Sequence, residues 1–349
     1  MPADQDSEAA QDSEAGTVTQ AAGTRRGQRD AAALALADVA HEPGAKKPDP
    51  ILVADDVQRH FGGLLAVDVD HAEVQRGQIT ALIGPNGAGK TTFFNLLTGF
   101  DQPDTGQWTF DGQGIAGTAP HKLARLGMVR TFQLTKSLAR LSVIENMRLG
   151  SGSQRGERFW LAPFQFLWGS QEDSITIRAD ELLERFRLDH MRDEFAGNLS
   201  GGQRKLLEMA RALMTDPRLI MLDEPMAGVN PALKQSLLEH IKLLKDEGRT
   251  VLFVEHDMDM VHEISDWVLV MAEGQVIAEG TATQISGDQS VIDAYLGAHH
   301  EVDLGVMDEA EAMEQLGLDA SDLGLDTLQQ IAEVHEGTDW GDEPRPSDE

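Results

Sequence analysis

The segment that most constrains the fold is the run Thr80-Ala-Leu-Ile-Gly-Pro-Asn-Gly-Ala-Gly-Lys-Thr-Thr at residues 80–92. A short apolar stretch leads into a G-x-x-x-x-G-K-T sequence, and the helical pattern Thr92-Phe-Phe-Asn-Leu-Leu follows and ends before Gly99. A strand, a glycine-rich turn and a helix in this order are the context that a phosphate-binding loop requires. The segment therefore predicts an α/β domain with a largely parallel sheet.

The residue types in this loop suit the binding of a nucleoside triphosphate. Glycines let backbone N–H groups turn inward onto the β- and γ-phosphates, and the following helix adds the partial positive charge of its N-terminus. Lys90 would neutralise the phosphates, and the hydroxyl of Thr91 would ligate Mg²⁺. A chance glycine-rich turn is the alternative, which the flanking strand and helix disfavour. The candidate nucleotide-binding residues are Gly84, Asn86, Gly87, Gly89, Lys90, Thr91 and Thr92.

A second segment, Arg218-Leu-Ile-Met-Leu-Asp-Glu-Pro, is an apolar strand pattern that ends in two carboxylates. Ligands of open α/β sheets bind at the carboxyl ends of the strands, so Asp223 and Glu224 are expected beside the phosphate loop. Asp223 is suited to hold Mg²⁺ through water, and Glu224 to polarise an attacking water as a general base. Two acids after a strand are often a solvated strand end, but the phosphate loop favours the nucleotide site.

Between these segments lies Leu-Ser-Gly-Gly-Gln at residues 199–203, followed by an amphipathic helical pattern. By itself, Ser-Gly-Gly predicts a helix N-cap and a turn. In this position the five residues strongly resemble the signature motif of ABC transporter ATP-binding proteins. The resemblance implies that Ser200, Gly201, Gly202 and Gln203 contact the γ-phosphate of ATP held by an opposite subunit, so that each site is completed only in a dimer.

Further positions match the same family. Gln133, after the strand-like residues 128–132, resembles the Q-loop glutamine, which joins Thr91 and Asp223 at Mg²⁺ or its water and couples to the membrane partner. His256, which follows an apolar strand pattern, resembles the switch histidine that contacts the γ-phosphate. Phe61, 29 residues before the loop lysine, resembles the aromatic residue that stacks on adenine. A core aromatic of the preceding β-subdomain is the alternative for Phe61.

Three features resemble the subclass that energises branched-chain amino acid import. They are Arg130-Thr-Phe-Gln, the D-loop region Ala227-Gly-Val-Asn-Pro, and Val254-Glu-His-Asp-Met. In the D-loop region, Asn230 stands where many family members carry Asp. A long aromatic insertion over about residues 150–180 also matches. Its rings either pack in the core of a helical subdomain or form a contact surface for membrane subunits. The ATPases of lipopolysaccharide export and urea import look similar.

The resemblance covers about residues 51–296 and implies an α/β fold, the P-loop NTPase of ABC type. A RecA-like core is expected to carry a small antiparallel β-subdomain from about Ile51 to Gly77 and a helical subdomain from about Leu134 to Gly197. We expect residues 1–49 to be a disordered acidic arm and linker, because they are polar and end in a run rich in Pro and Gly. Residues 299–349 hold 16 acidic side chains and the single basic Arg345, and are expected to be an acidic tail, with or without short amphipathic helices.

The implied function is ATP hydrolysis, with ATP and Mg²⁺ as cofactors, that energises import of branched-chain amino acids or related small amino acids and amides. The implied partners are a second ATP-binding subunit, identical or different, separate transmembrane permeases and, indirectly, an extracytoplasmic solute-binding protein. The alternatives are urea import, lipid or polysaccharide export, and a soluble ABC ATPase of repair or translation. That soluble class usually inserts long coiled coils or carries two cassettes. Here one cassette is found, and Ser200 follows Lys90 by only 110 positions.

Composition limits the remaining function classes. The chain has 59 Asp and Glu against 29 Lys and Arg, a net charge of -30, which argues against nucleic-acid binding. Such an acidic surface favours a salt-accumulating cytoplasm, because at about 1 M salt the Debye length is only about 3 Å and the repulsion between carboxylates is screened. An ordinary acidic protein with charged tails is the alternative. The chain has no cysteine, which excludes disulfides and thiolate chemistry. It also lacks the roughly 18–20 consecutive apolar residues of a membrane span, so we expect a peripheral protein at the cytoplasmic face of the membrane.

Overall fold

The computed structural model of the chain describes residues 36–131, 139–152 and 169–302. The strands in these residues form two sheets, one antiparallel and one largely parallel. In chain order they are β1 (Pro50–Phe61), β2 (Leu64–Gln75), β3 (Ile79–Ile83), β4 (Thr105–Phe110), β5 (Gln113–Gly114), β6 (Met128–Arg130), β7 (Leu219–Asp223), β8 (Thr250–Val254), β9 (Trp267–Ala272) and β10 (Gln275–Gly280).

The helices of the described residues surround the parallel sheet or form a separate group beside it. In chain order they are α1 (Lys90–Leu97), α2 (Pro120–Leu126), α3 (Val143–Leu149), α4 (Gly169–Arg185), α5 (Gly201–Leu213), α6 (Pro231–Asp246), α7 (Met258–Ile264), α8 (Ala282–Ser286) and α9 (Gln289–Val302), with short 3₁₀ turns at Asp189–Met191 and Ala196–Asn198. None of the described helices is long and apolar enough to cross a membrane.

The parallel sheet has the strand order β10-β9-β3-β8-β7-β6. Strand β3 pairs in parallel with both β8 and β9, β7 lies in parallel between β8 and β6, and β10 closes one edge antiparallel to β9. All five residues of β3 and of β8 are buried, as expected of strands covered on both faces. The carboxyl ends of β3, β8, β7 and β6 therefore meet side by side at one edge, which is where the sequence places its candidate site residues.

The antiparallel sheet has the order β2-β1-β4-β5 and is larger than the sequence indicated. The subdomain was expected to span Ile51 to Gly77, but residues 105–114 also belong to it, because β4 pairs with β1 through Leu52 opposite Phe110 and Ala54 opposite Trp108. Trp108 and Phe110 are each 1% exposed, so their burial against β1 explains the addition. The predicted RecA-like core and β-subdomain are confirmed.

The helical subdomain consists, in the described residues, of α3 and α4 packed against α5. Ser142 caps α3 in a reciprocal arrangement in which its hydroxyl accepts from the Glu145 amide and Glu145 accepts from the Ser142 amide. Val143, Met147, Leu183 and Phe186 are fully buried where these helices meet. The predicted insertion begins and ends in this subdomain, but its five aromatic residues, 159–168, lie outside the described residues.

Residues 36–49 pack against both sheets, which differs from the linker expected there. Leu36 and Val39 are buried, and the ring of His41 stacks on Trp267 of β9 with the ring centroids 5.6 Å apart. The Lys47 ammonium pairs with the buried carboxylate of Glu279 on β10, while the Lys47 amide donates to Glu73 on β2 over 2.5 Å. The packed domain thus begins at or before Leu36. Residues 1–35 and 303–349, with the predicted arm and acidic tail, lie outside the description.

Candidate functional site

The glycine-rich loop between β3 and α1 has a backbone that residues with a Cβ atom do not adopt. Gly84, Gly87 and Gly89 have φ angles of 146°, 81° and 91°, the region that glycine alone occupies at no steric cost. A Cβ atom at Gly84 would lie 2.0 Å from the Met271 carbonyl oxygen, and one at Gly89 would lie 2.3 Å from the Ala66 carbonyl oxygen. The loop therefore needs glycine for its conformation at all three positions and for close backbone contact at two.

The loop presents a cation and the start of a helix to the same space. Gly89 is the N-cap of α1, no side chain caps this helix, and its first N–H groups have no partner within the helix. The Lys90 ammonium donates to the Gly84 and Pro85 carbonyl oxygens over 2.6 and 2.7 Å. Burial lowers the pKa of Lys90, and the charge of Glu224 opposes that shift. A half-buried cation beside uncapped backbone donors fits a polyphosphate.

Asp223, at the carboxyl end of β7, is paired with an arginine that the sequence did not identify as its partner. Arg130, the last residue of β6, donates to the Asp223 carboxylate over 2.5 Å and to Asn95 on α1 over 2.7 Å. The side chains of Arg130 and Asp223 are only 8% and 10% exposed, so this ion pair is well shielded from solvent. The pair links the ends of β6 and β7 to the helix that follows the phosphate loop.

Glu224 follows β7 in a strained backbone conformation. Its φ angle is 43°, the left-handed region that is unfavourable for residues other than glycine. Its amide donates to the Val254 carbonyl oxygen at the end of β8 over 3.0 Å. Burial lowers the pKa of Lys90 and the charge of Glu224 acts to raise it, although β8 separates β7 from β3 in the sheet. The predicted general base and the predicted phosphate-neutralising lysine therefore lie at the same edge of the sheet, two strands apart.

The loop after β8 combines a buried acid with an exposed histidine. Glu255 is 1% exposed, and its carboxylate accepts the Met226 and His256 amides over 2.9 and 3.3 Å. Burial raises the pKa of Glu255, and these two hydrogen bonds oppose the shift. The His256 side chain is 69% exposed, so it is available to a ligand. His256 was predicted from the sequence and Glu255 was not, although a buried charged residue directly after five buried strand residues is itself unusual.

The predicted signature residues open helix α5. Ser200 is its N-cap, with the hydroxyl accepting from the Gln203 amide over 3.3 Å and the Gln203 side chain accepting from the Ser200 amide over 3.0 Å. Ser200 and Gly201 are exposed, whereas Gly202 is buried. A Cβ atom at Gly202 would lie 1.8 Å from a methyl group of Leu233. The helix N-cap that Ser-Gly-Gly predicts is thus present, and Ser200 and Gly201 remain exposed to solvent.

The remaining candidates are placed as follows. Phe61 is 49% exposed and carries the Arg59 guanidinium over its ring at 4.8 Å, so the core alternative for this residue is wrong. Asn230 is the N-cap of α6 and accepts from the Leu233 amide over 2.9 Å. Asn86, Gly87 and Thr91 are exposed at the loop. Gln133 lies outside the described residues.

The fold and the positions of the glycine-rich loop and the acid pair define a P-loop nucleoside triphosphatase. A glycine-rich loop follows a buried parallel strand and opens a helix, and an acid pair ends a strand two places away in the same sheet. Helix α5, which begins after its capping residue Ser200, packs with the helices of a separate subdomain. This is the architecture of the ABC-type ATPases.

Comparisons with known proteins agree with this class. Residues 67–227 match the ABC transporter family, and residues 275–301 match a second family described as the branched-chain amino acid ATP-binding cassette transporter. A probable branched-chain amino acid transport ATP-binding protein LivG of Archaeoglobus fulgidus is 44% identical over 257 residues, covering 73% of this chain and 99% of that protein. The high-affinity branched-chain amino acid transport ATP-binding protein BraF of Pseudomonas aeruginosa is 42% identical over 250 residues, covering 71% and 98%.

Among solved structures, an ATP-binding cassette of an ABC transporter in its ADP conformation matches with a TM-score of 0.63 at 38% identity. It covers 71% of this chain and 99% of that chain. The chain belongs to the ATP-binding proteins of ABC transporters. It is therefore an ATPase of the kind that works with permease subunits, and its predicted fold is confirmed.

Proposed function

We propose that the chain is the ATP-hydrolysing subunit of an importer for branched-chain amino acids or related small amino acids and amides. The observation that carries the ATPase role is the placement of Lys90 and Glu224 at the same edge of the parallel sheet, after strands β3 and β7. The named relatives and the family match over residues 275–301 support the class of solute. Urea import and lipid or polysaccharide export remain the alternatives.

The phosphate loop is proposed to hold the ATP. The Lys90 ammonium would break or share its hydrogen bonds to the Gly84 and Pro85 carbonyl oxygens and neutralise the β- and γ-phosphates. The first amides of α1 would donate to the same phosphate oxygens. Thr91, Asp223 and Gln133 are the proposed ligands of Mg²⁺ or of its waters, and the bound ion would supply charge neutralisation of the phosphates. The exposed ring of Phe61 is proposed to stack on the adenine. The other proposed nucleotide-binding residues of this loop and of the first turn of α1 are Asn86, Gly87, Gly89 and Thr92.

Glu224 is proposed as the general base. Its carboxylate would accept a proton from water as that water attacks the γ-phosphorus in line with the departing ADP oxygen. His256, exposed at the end of the adjacent strand, would donate to a γ-phosphate oxygen and so stabilise the charge that develops there. Because these groups are held at adjacent strand ends, positioning and electrostatics supply most of the acceleration.

The site is proposed to be completed by a second ATP-binding subunit. Ser200 and Gly201 are exposed at the start of α5, so the Ser200 hydroxyl, acting as a donor, and the Gly201 N–H could approach a γ-phosphate from outside the subunit. Gly202 and Gln203 continue the same turn. Either an identical or a different ATP-binding subunit satisfies this geometry. The dimer would hold two ATP molecules between the phosphate loop of one subunit and the signature of the other.

The permease is proposed to dock at the cleft between the helical subdomain and the core. A cavity of about 270 Å³ lies there, with a mainly apolar lining from α2 and β6 and with the charged side chains of Arg130, Glu208 and Arg211. Phe100 lies in it and is 48% exposed. Thr131, two positions before Gln133, also lines it. A permease segment in this cleft would place the subunit at the cytoplasmic face of the membrane, with a solute-binding protein acting on the far side.

Two substitutions test the proposal because they separate binding from chemistry. Lys90→Ala should abolish ATP binding, since the phosphates lose the cation of the loop, whereas Glu224→Gln should bind ATP and stop hydrolysis. Nucleotide binding by equilibrium titration and phosphate release would be measured on both variants and the wild type. Hydrolysis by Glu224→Gln at the wild-type rate would show that the assigned base is wrong.

Transport supplies the test of the solute. The chain would be reconstituted with its permeases in proteoliposomes, and ATP-dependent uptake would be measured for leucine, urea and an unrelated sugar. Uptake of leucine alone supports the proposed class. Uptake of urea alone, or outward movement of lipid, would assign the chain to one of the alternatives.

A further inference from the structure

The three residues after β7, at positions 224–226, are held by side chains from two other motif-bearing segments. The Lys205 ammonium, from helix α5, donates to the Glu224 and Pro225 carbonyl oxygens over 2.9 and 3.0 Å. The Glu255 carboxylate, from the loop after β8, accepts the Met226 amide over 2.9 Å. A cation thus binds two consecutive carbonyl groups, and an anion binds the next amide.

This turn needs external support because its first residue is strained. Glu224 has a φ angle of 43°, and a non-glycine residue keeps such a conformation only where its surroundings enforce it. The direction of the Glu224 side chain depends on that backbone conformation. Without the bonds from Lys205 and Glu255, the turn would be free to relax to the ordinary right-handed region, and the carboxylate would swing away from the end of β7.

Removing the charges of Lys205 and Glu255 from water costs free energy that packing alone does not explain. Glu255 is 1% exposed, and an apolar residue of similar volume would avoid burying its carboxylate. Burial also lowers the pKa of Lys205, with the charges of Glu255, Glu208 and Glu224 opposing the shift. A buried carboxylate and a partly buried ammonium that converge on one backbone turn indicate a positioning role, because each satisfies backbone groups that a hydrophobic side chain could not.

We propose that Lys205 and Glu255 are positioning residues that clamp the turn at 224–226, and thereby fix Glu224 relative to the phosphate loop and His256. Lys205 lies five residues after Ser200 on the same helix, so the clamp also joins the signature to the general base within one subunit. Glu255 additionally accepts the His256 amide, which places the switch histidine in the same clamp. The inference rests on the proposed roles of Glu224 and His256.

The test uses the full-length chain with its permease subunits and measures kcat and the KM for ATP. Lys205→Met and Glu255→Leu remove each clamp side chain while keeping its approximate volume. Each should lower kcat by between about tenfold and a hundredfold, the effect of misplacing a catalytic group by about 1 Å, with KM for ATP changed less than about twofold. Lys205→Arg and Glu255→Gln, which retain a donor and an acceptor, should recover part of the rate.

A matched control comes from an exposed ion pair. Lys242 and Glu263 are 43% and 38% exposed and lie in contact over 2.7 Å on the surface. Lys242→Met and Glu263→Gln should leave kcat and KM at wild-type values, because they make similar chemical changes where no backbone turn is held. Thermal melting of every variant would identify any that fails to fold, and the Arg and Gln variants then carry the test.

The outcomes separate this inference from the proposed function. If Glu224→Gln stops hydrolysis but Lys205→Met and Glu255→Leu retain kcat within about twofold, the ATPase assignment stands and the clamp is refuted. A parallel loss of melting temperature, kcat and ATP affinity, without recovery in Lys205→Arg or Glu255→Gln, would show a general structural role and would also overturn it. Hydrolysis by Glu224→Gln at the wild-type rate would refute the proposed role of Glu224 as the base, and the clamp with it, and would leave the ATPase class standing.

Discussion

Replacing Lys47 by methionine tests whether residues 36–49 are an integral part of the domain. Its ammonium pairs with Glu279 and donates to the Ala45 carbonyl oxygen over 2.7 Å, and the Lys47 and Glu279 side chains are each 1% exposed. The Glu279 carboxylate also accepts from the Trp267 indole over 2.9 Å and the Ala45 amide over 2.5 Å. After the substitution, Glu279 would keep only these neutral donors, and its charge would be buried without a cation.

The expected loss follows from the burial of the remaining charge. Burial lowers the pKa of Lys47 while the charges of Glu279 and Glu73 raise it, so desolvation and attraction largely oppose each other in the intact pair. Removal of one partner from a buried pair costs about 3–5 kcal/mol, because the other charge stays desolvated. In a large domain 1 kcal/mol shifts the melting temperature by roughly 2–4 °C, so Lys47→Met should melt roughly 6–20 °C below the wild type.

The assay is thermal and urea unfolding followed by circular dichroism, with two reference variants. Lys242→Met breaks the exposed pair with Glu263 and should cost at most about 1 kcal/mol. The double variant Lys47→Met/Glu279→Gln neutralises the stranded charge but keeps only one of the two oxygens that accept from Trp267 and Ala45. An unmade hydrogen bond costs less than an unpaired buried charge, so the double variant should be more stable than Lys47→Met. The reasoning is refuted if Lys47→Met costs less than about 1 kcal/mol, or if the double variant is no more stable than the single one.

Three further predictions concern charge, the dimer and the loop. Because the net charge is -30, the melting temperature should fall as salt drops far below about 1 M; no change across a salt series would remove the salt-adapted interpretation. Thiols introduced at Asn86 and Ser200 in separate Glu224→Gln subunits should be cross-linked by a short bismaleimide only with ATP in high salt, and no product would contradict the sandwich dimer. Gly84→Ala, which places a Cβ atom 2.0 Å from a backbone oxygen, should weaken ATP binding more than tenfold by titration, whereas Gly114→Ala, with nothing within 4 Å, should not.

The sequence predicted the elements whose signals are local. Strands β3, β7 and β8 are short, largely apolar runs, and each forms where such a run predicted a strand. The helix cap at Ser200 was likewise visible in the Ser-Gly-Gly-Gln sequence. In each case the residues that define the element are neighbours in the chain, so periodicity and capping rules suffice.

Contacts between distant segments could not be predicted in this way. Arg130 and Asp223 are 93 positions apart, and neither neighbourhood indicates that the two side chains meet. Lys47 stands in a polar, proline-rich stretch whose composition is typical of a linker, and only the acids of β2 and β10 explain its burial. Strand β4 was missed for the same reason, because its partner β1 lies on the other side of the phosphate loop in the chain.

The central position of β3 has a consequence for how the protein is made. Ile79 pairs with Val251, and Thr80 with Trp267, so the strand that leads into the phosphate loop has both its neighbours in the last third of the described chain. From the end of β3 at Ile83 to the end of β9 at Ala272 are 189 positions. At about 5–20 residues per second, a ribosome needs roughly 10–40 s to supply that length.

During that interval β3 carries two unpaired edges, and its four apolar side chains lack their final cover. The antiparallel sheet can form early, because β1, β2, β4 and β5 all lie within the first 114 residues. The nucleotide site cannot form until β8 and β9 have left the ribosome. Synthesis interrupted before about residue 272 would therefore release a chain that contains the complete phosphate loop and signature sequences but lacks the sheet that supports them.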